Sequence, residues 1–131
     1  MPELVNDDST PGRHQQVHRV LVVDDEDGIR RSLVRVLALN GFETRDASDG
    51  LSAWGLALSQ RFDLVVTDLR MPGLDGMELA TRVIQANPRT RILIISAYPP
   101  IGMPPYPFMQ KPFSMVDFLT TVAQLFLPHS K

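Results

Sequence analysis

Val20-Leu21-Val22-Val23-Asp24-Asp25-Glu26 decides how this chain is read, because a short unbroken apolar run stops abruptly against acids. Such a run is what a strand buried on both faces shows, since neither side of it meets water. Leu64-Val65-Val66 and Ile92-Leu93-Ile94-Ile95 repeat the signature; Phe42-Glu43-Thr44-Arg45, after the stop signal Gly41, is a weaker strand, and Phe108-Met109-Gln110 is the last. Between these runs the apolar residues take helical spacing. Ile29, Leu33, Val36 and Leu37 share one face, as do Leu51, Trp54 and Leu58, and then Met77, Ala80, Val83 and Ile84. Ser114-Met115-Val116-Asp117 reads as a capping box opening a last helix with Phe118, Val122 and Leu125 inward and Pro128 as its stop.

Strands alternating with helices imply an α/β fold with a parallel sheet, because parallel neighbours need a crossover between them. In a doubly wound sheet, ligands sit at the carboxyl ends of the strands, where strand order reverses. The residues that follow each apolar run are therefore the ones to examine.

Composition narrows the chemistry. The chain has 131 residues, 44% of them hydrophobic, with a formal net charge of −2 and no long basic block, so charge alone suggests no phosphate-tracking nucleic-acid surface. With no Cys, disulfides, thiolate metal sites and cysteine nucleophiles are excluded; His14, His18 and His129 lie near the chain ends. No apolar stretch is long enough to span a bilayer and no secretory pattern opens the chain, so a cytoplasmic protein without membrane contact is expected. Residues 1–16 are polar and unpatterned and read as a flexible leader, 17–127 as the folded domain and 128–131 as a tail.

The strand ends carry Asp24, Asp25, Glu26 and Asp27, then Asp68, then Ser96, then Lys111 before Pro112. In a parallel sheet these project at one edge. Carboxylates gathered there repel one another and raise each other's pKa unless a cation neutralises them. An oxygen-only donor set suits a hard ion such as Mg²⁺. An ionised Asp beside that ion can attack a phosphoryl group, with Lys111 and the Ser96 hydroxyl available to the phosphoryl oxygens. Each residue alone has a plain explanation: acids favour a first helical turn, Asp75-Gly76 is a cap and turn, and a lone Lys is a solvated cation. Their joint fall just after successive apolar runs is what those explanations do not cover.

The chain resembles the receiver domain of bacterial two-component response regulators. The resemblance is carried by Val20 to Glu26, by Asp68-Leu69-Arg70-Met71-Pro72-Gly73-Leu74-Asp75-Gly76, by Ile95-Ser96-Ala97 and by Lys111-Pro112-Phe113. It implies a flavodoxin-like, doubly wound five-stranded parallel sheet of order 2-1-3-4-5 with helices on both faces. Asp68 would accept a phosphoryl group from a histidine kinase or histidine phosphotransfer protein, and the domain would then switch binding of an output partner. Asp25, Asp24 (through water), Asp68 and the backbone carbonyl of Arg70 would hold Mg²⁺. Ser96 and Lys111 would meet the phosphoryl group, Phe108 would be the aromatic that swings inward, and Lys111-Pro112 would be a cis peptide. Such a domain is a phosphoacceptor with self-catalysed transfer and dephosphorylation rather than a turnover enzyme. A monomer or weak dimer is expected, with no DNA-binding segment in this chain.

One stretch departs from the family. Between Ser96 and Lys111 the chain is about two helical turns too short for a fourth helix, at the usual 3.6 residues per turn. The segment holds Pro99, Pro100, Pro104, Pro105 and Pro107, each of which would remove a helix donor. A proline-rich extended crossover is expected instead, with Pro107 at a sheet edge. Tyr98, Ile101, Met103 and Tyr106 within it either contact a partner, with phosphorylation shifting the segment, or cover core that the helix would have covered. Two other functions compete with the phosphoacceptor: a partner-binding module that works without phosphorylation, and a Mg²⁺-dependent aspartyl-phosphate hydrolase of the haloacid-dehalogenase type. The second fits Asp24-Asp25-Glu26 loosely and leaves Asp68 and Ser96 unexplained. A nucleotide-binding flavodoxin-like module is disfavoured because no glycine-rich loop follows the first strand.

Overall fold

A computed structural model describes residues 17–99 and 101–128; the expected leader and residues 129–131 of the expected tail lie outside the described residues. The elements are β1 (Arg19–Val23), α1 (Asp27–Leu39), β2 (Glu43–Ala47), α2 (Gly50–Ser59), β3 (Leu64–Asp68), α3 (Gly76–Ala86), β4 (Arg91–Ser96), β5 (Phe108–Gln110) and α4 (Met115–Leu125). The five strands form one sheet in the order β2-β1-β3-β4-β5, and every neighbouring pair is parallel. This is the doubly wound, flavodoxin-like order expected from the sequence.

Alternation along each strand builds the two core layers, because successive side chains point to opposite faces. Leu21, Val23, Val65, Ile92 and Ile94 face α2 and α3, where they meet Ala53, Leu79, Ala80 and Val83. Val20, Val22, Leu64, Val66, Leu93 and Ile95 face α1 and α4, against Leu33, Leu37, Phe118 and Val122. Most of these side chains are fully buried, each contributing about 1.5–3 kcal/mol relative to exposure. The central runs are therefore apolar throughout because both faces are covered.

Helix starts follow local chemistry. Asp49, Asp75 and Ser114 each accept a hydrogen bond from a backbone N–H in the first turn, namely Ser52, Glu78 and Asp117. Helix α4 thus begins at the expected cap and ends before Pro128. The second strand runs Glu43–Ala47, two residues beyond the stretch expected, and Phe42 instead packs on the core beside it.

The inward face of α2 is a correction. Leu51 and Leu58 are 64% and 63% exposed and Trp54 is half-buried, whereas Gly50 and Ala53 point inward. The helix lies so near its neighbour that a Cβ at Gly50 would stand 2.1 Å from the Leu74 carbonyl oxygen, so only small residues fit underneath.

Between Ser96 and Phe108 the chain passes from β4 to β5 with no helix among the described residues, as the prolines dictate. Pro107 precedes β5 at the sheet edge, and its carbonyl still accepts from Ile94 N–H at 2.9 Å. Tyr106 packs against the core on the α2/α3 side, while Tyr98, Ile101 and Met103 are 55%, 100% and 93% exposed. Tyr106 thus covers core as the missing helix would have, while the other three apolar side chains face outward.

Candidate functional site

The carboxyl ends of β1 and β3 lie side by side, with Val23 opposite Thr67 in the register. Asp24 follows directly and Asp68 ends β3, so the loop after β1 and the tip of β3 share one rim. Carboxylate oxygens of Asp24, Asp25 and Asp68 all lie within 4.8 Å of one another. Asp24 is fully buried and Asp68 nearly so, while Asp25 is exposed.

A buried carboxylate must have partners. Asp24 Oδ1 accepts from Glu26 N–H at 2.9 Å and Oδ2 from Lys111 Nζ at 2.9 Å. Its carbonyl oxygen accepts from Arg30 Nη1 at 2.9 Å, and Arg30 is held in turn by Asp27 and Asp46, each at 2.8 Å. The loop is thereby pinned to α1 and β2.

Lys111 reaches this rim from the end of β5. Its backbone N–H donates to the Ser96 carbonyl at 2.7 Å, and Lys111-Pro112 is cis, as the resemblance implied. The ammonium bridges three acids: Asp24 at 2.9 Å, Glu26 at 3.2 Å and Asp68 at 3.5 Å. Burial alone would lower its pKa, but the hydrogen bond and charge of Asp24, then Asp68 and Glu26, outweigh it and raise the value. The Asp68 carboxyl is pushed up chiefly by burial and then by Asp24, against the opposing pull of Lys111 and the Arg70 backbone N–H. Two like charges beside a buried third are relieved only in part by one ammonium.

The donor chemistry fits a hard divalent cation. The converging side-chain donors are carboxylate oxygens alone, and Asp25 leaves the rim open toward solvent. Arg70 N–H faces Asp68, which puts the Arg70 peptide beside the acids whose ion its carbonyl is expected to help hold.

Ser96 is 1% exposed at the tip of β4, and its Oγ accepts from Tyr98 N–H at 3.1 Å. Phe108 is half-buried and packs on the α2/α3-side core with Tyr106. Of the residues singled out from sequence, Asp24, Asp25, Asp68 and Lys111 come together; Ser96 stands on the neighbouring strand tip, and Phe108 packs against the core.

Three contributors carried no sequence signal strong enough to single out their roles. Glu26 holds Lys111, although it stood in the quoted acidic run. Arg30 clamps the Asp24 carbonyl from the start of α1. Gly76 presses on β3: a Cβ there would lie 2.1 Å from the Asp68 carbonyl oxygen.

Comparison with known proteins agrees with this arrangement. Residues 20–104 match the response regulator receiver domain family, and the chain belongs to that family. It is 39% identical over 82 residues to the regulatory protein AtoC of Escherichia coli (strain K12), covering 63% of this chain and 18% of that one. It is 36% identical over 85 residues to sporulation initiation phosphotransferase F of Bacillus subtilis (strain 168), covering 65% and 68%. The fold matches the response regulator TrrA of Thermotoga maritima, solved in complex with Mg²⁺-BeF, with TM-score 0.77, 30% identity and coverage of 84% and 100%. This is thus a receiver domain of two-component signalling, from a family of phosphoacceptors. No helix among the described residues is long and apolar enough to cross a membrane.

Proposed function

We propose that the domain accepts a phosphoryl group on Asp68, with Mg²⁺, from a histidine kinase or histidine phosphotransfer protein, and thereby switches binding of an output partner. The observation that carries this reading is the convergence of the Asp24, Asp25 and Asp68 carboxylates at one rim, with the Lys111 ammonium among them. An Asp68 Oδ attacks phosphorus as the donor's P–N bond breaks, and the electron pair leaves on the imidazole nitrogen. Asp25, Asp24, Asp68 and the Arg70 carbonyl would hold Mg²⁺, which would neutralise the acids and the charge on the phosphoryl oxygens. Lys111, held by Asp24 in the metal-free site, would pair with one phosphoryl oxygen, and Ser96 would donate its hydroxyl proton to another. Phe108 then turns inward into the space Ser96 leaves.

The same chemistry allows self-catalysed transfer and hydrolysis without sustained turnover of an external ester. Action in the cytoplasm, as a monomer or weak dimer, belongs to this reading. The test is intact-mass spectrometry after incubation with acetyl phosphate. One phosphoryl adduct is expected with Mg²⁺, none with EDTA, and none in Asp68→Asn. An adduct that persists in Asp68→Asn sinks the assignment. No adduct in any condition, together with no transfer from a phosphorylated kinase, favours the phosphorylation-independent binding module.

A further inference from the structure

The Arg70 guanidinium stands over the Tyr98 ring, 4.4 Å from its centroid. Arg70 follows Asp68 by two residues, with its backbone N–H facing that carboxylate, whereas Tyr98 opens the proline-rich crossover. Among the described residues no carboxylate lies within salt-bridge distance of Arg70, unlike Lys111 and Arg30, which are tied up by acids. The start of the crossover has a second tie: Tyr98 N–H donates to Ser96 Oγ.

We infer that Arg70 is a second cation for the phosphoryl group, parked on Tyr98 until that group arrives, and that its transfer releases the crossover. This rests on Asp68 being the phosphoacceptor. An exposed cation–π stack is a weak hold for a guanidinium, whereas charge-assisted hydrogen bonds to phosphoryl oxygens are stronger and match its planar fork. The Ser96 Oγ, which accepts from Tyr98 N–H, is carried away from it when the hydroxyl turns to donate its proton to a phosphoryl oxygen. Both ties on Tyr98 therefore come from side chains that a phosphoryl group on Asp68 would recruit, one two residues along the chain and one at the tip of the neighbouring strand. Loss of both frees Tyr98, and with it the exposed Ile101 and Met103. Arg70 acts on the bound group directly; Tyr98 is a positioning residue.

The experiment is NMR of the full chain with Mg²⁺, before and after beryllofluoride, following the Arg70 δ and ε protons and the backbone amides of Thr67 and Leu69. In the resting protein the Tyr98 ring shifts the Arg70 protons upfield. On addition of beryllofluoride the Thr67 and Leu69 amides should move and the Arg70 protons should lose that upfield shift. Arg70→Ala should weaken beryllofluoride binding roughly fivefold to tenfold, as expected for a charge-assisted contact net of the stack it replaces. Arg70→Lys should restore part of the loss, and Tyr98→Leu should tighten binding, because the competitor is gone. Amides that move while the Arg70 protons keep their ring shift would overturn the inference and leave the phosphoacceptor reading standing. Amides that do not move at all would overturn both.

Discussion

Gly76 packs so tightly on Asp68 that a Cβ added to it would stand 2.1 Å from the Asp68 carbonyl oxygen. Its backbone N–H also donates to Leu69 at 2.9 Å, so the start of α3 is sewn to the tip of β3. The demand for glycine here is one of space. Gly73, in the turn just before, has φ +77° and needs glycine for its backbone angle instead.

Gly76→Ala should therefore push α3 and the Asp68 tip apart, costing about 1–3 kcal/mol as overpacking does. Acetyl-phosphate labelling should slow with it. Gly28→Ala is the control, since nothing lies within 4 Å of a Cβ there. That change should stabilise α1 by up to ~1 kcal/mol through helix propensity. Urea titration of both variants checks the pair; equal stabilities would refute the steric account.

Lys111→Met should destabilise the metal-free protein by about 3 kcal/mol, because it leaves the buried Asp24 carboxylate without its cation. Mg²⁺ should then raise the melting temperature of the variant more than that of the wild type, since the ion is offered three uncompensated acids. Thermal melts with and without Mg²⁺ measure this. An equal Mg²⁺ increment in both proteins would mean that Lys111 does not compensate the carboxylates.

The pH dependence has a definite sign in the absence of metal. Burial first, then the Asp24 charge, raises the Asp68 carboxyl above its ordinary value, so the folded chain binds that proton more tightly than the unfolded chain. Stability should fall as pH rises from the ordinary carboxylate range through the raised value, and the loss is complete above it. In EDTA, Asp68→Asn should lack that fall and be more stable than wild type at neutral pH. Lys111 acts in the opposite range. Burial pulls it down, but Asp24 and Asp68 raise it on balance, so its stabilisation is full below the ordinary lysine value. That contribution is lost only as pH climbs through the raised one. Denaturant titrations across the acid-to-neutral and alkaline ranges test both; a wild-type-minus-variant difference that stays flat from acid to neutral pH would contradict the Asp68 assignment.

Helix α2 makes its own prediction. Leu51→Glu and Leu58→Glu should change stability by less than about 0.5 kcal/mol, as substitutions on an exposed face do. Ala53→Leu, at a fully buried position, should cost about 1–3 kcal/mol by overpacking. The spacing of the large side chains alone would have given the reverse order, so the same denaturation assay decides between the two faces.

The reason α2 was misread shows where sequence reading stopped. Helices α1 and α3 carry charged residues, and α4 carries Asp117, Thr120 and Gln124, on the outer side, so apolar spacing marks most of their inner face, although it passes over Leu79, fully buried in α3. Helix α2, Gly50-Leu51-Ser52-Ala53-Trp54-Gly55-Leu56-Ala57-Leu58-Ser59, is apolar or small all round, and periodicity cannot choose a side. Close approach to the Leu74 backbone chose it, and that is a tertiary fact. The strands were legible because burial on both faces leaves a continuous apolar run, and Asp24, Asp68, Ser96 and Lys111 were legible as the residues after each run. Contacts across the rim were not. The grip of Glu26 on Lys111 spans 85 positions, and the stack of Arg70 on Tyr98 joins two separate loops. Neither leaves a local pattern. The crossover without a helix was legible for the opposite reason, since proline restricts its own backbone wherever it stands.

Strand β5 is three residues long, lies at the margin of the sheet, and has Pro107 before it and Pro112 shortly after. A strand so brief, fenced by residues with no amide hydrogen, offers a passing chain few places to add on. The sheet margin at β5 is therefore a poor template for stacking one copy of the molecule on another, whatever the proline-rich segment beside it does.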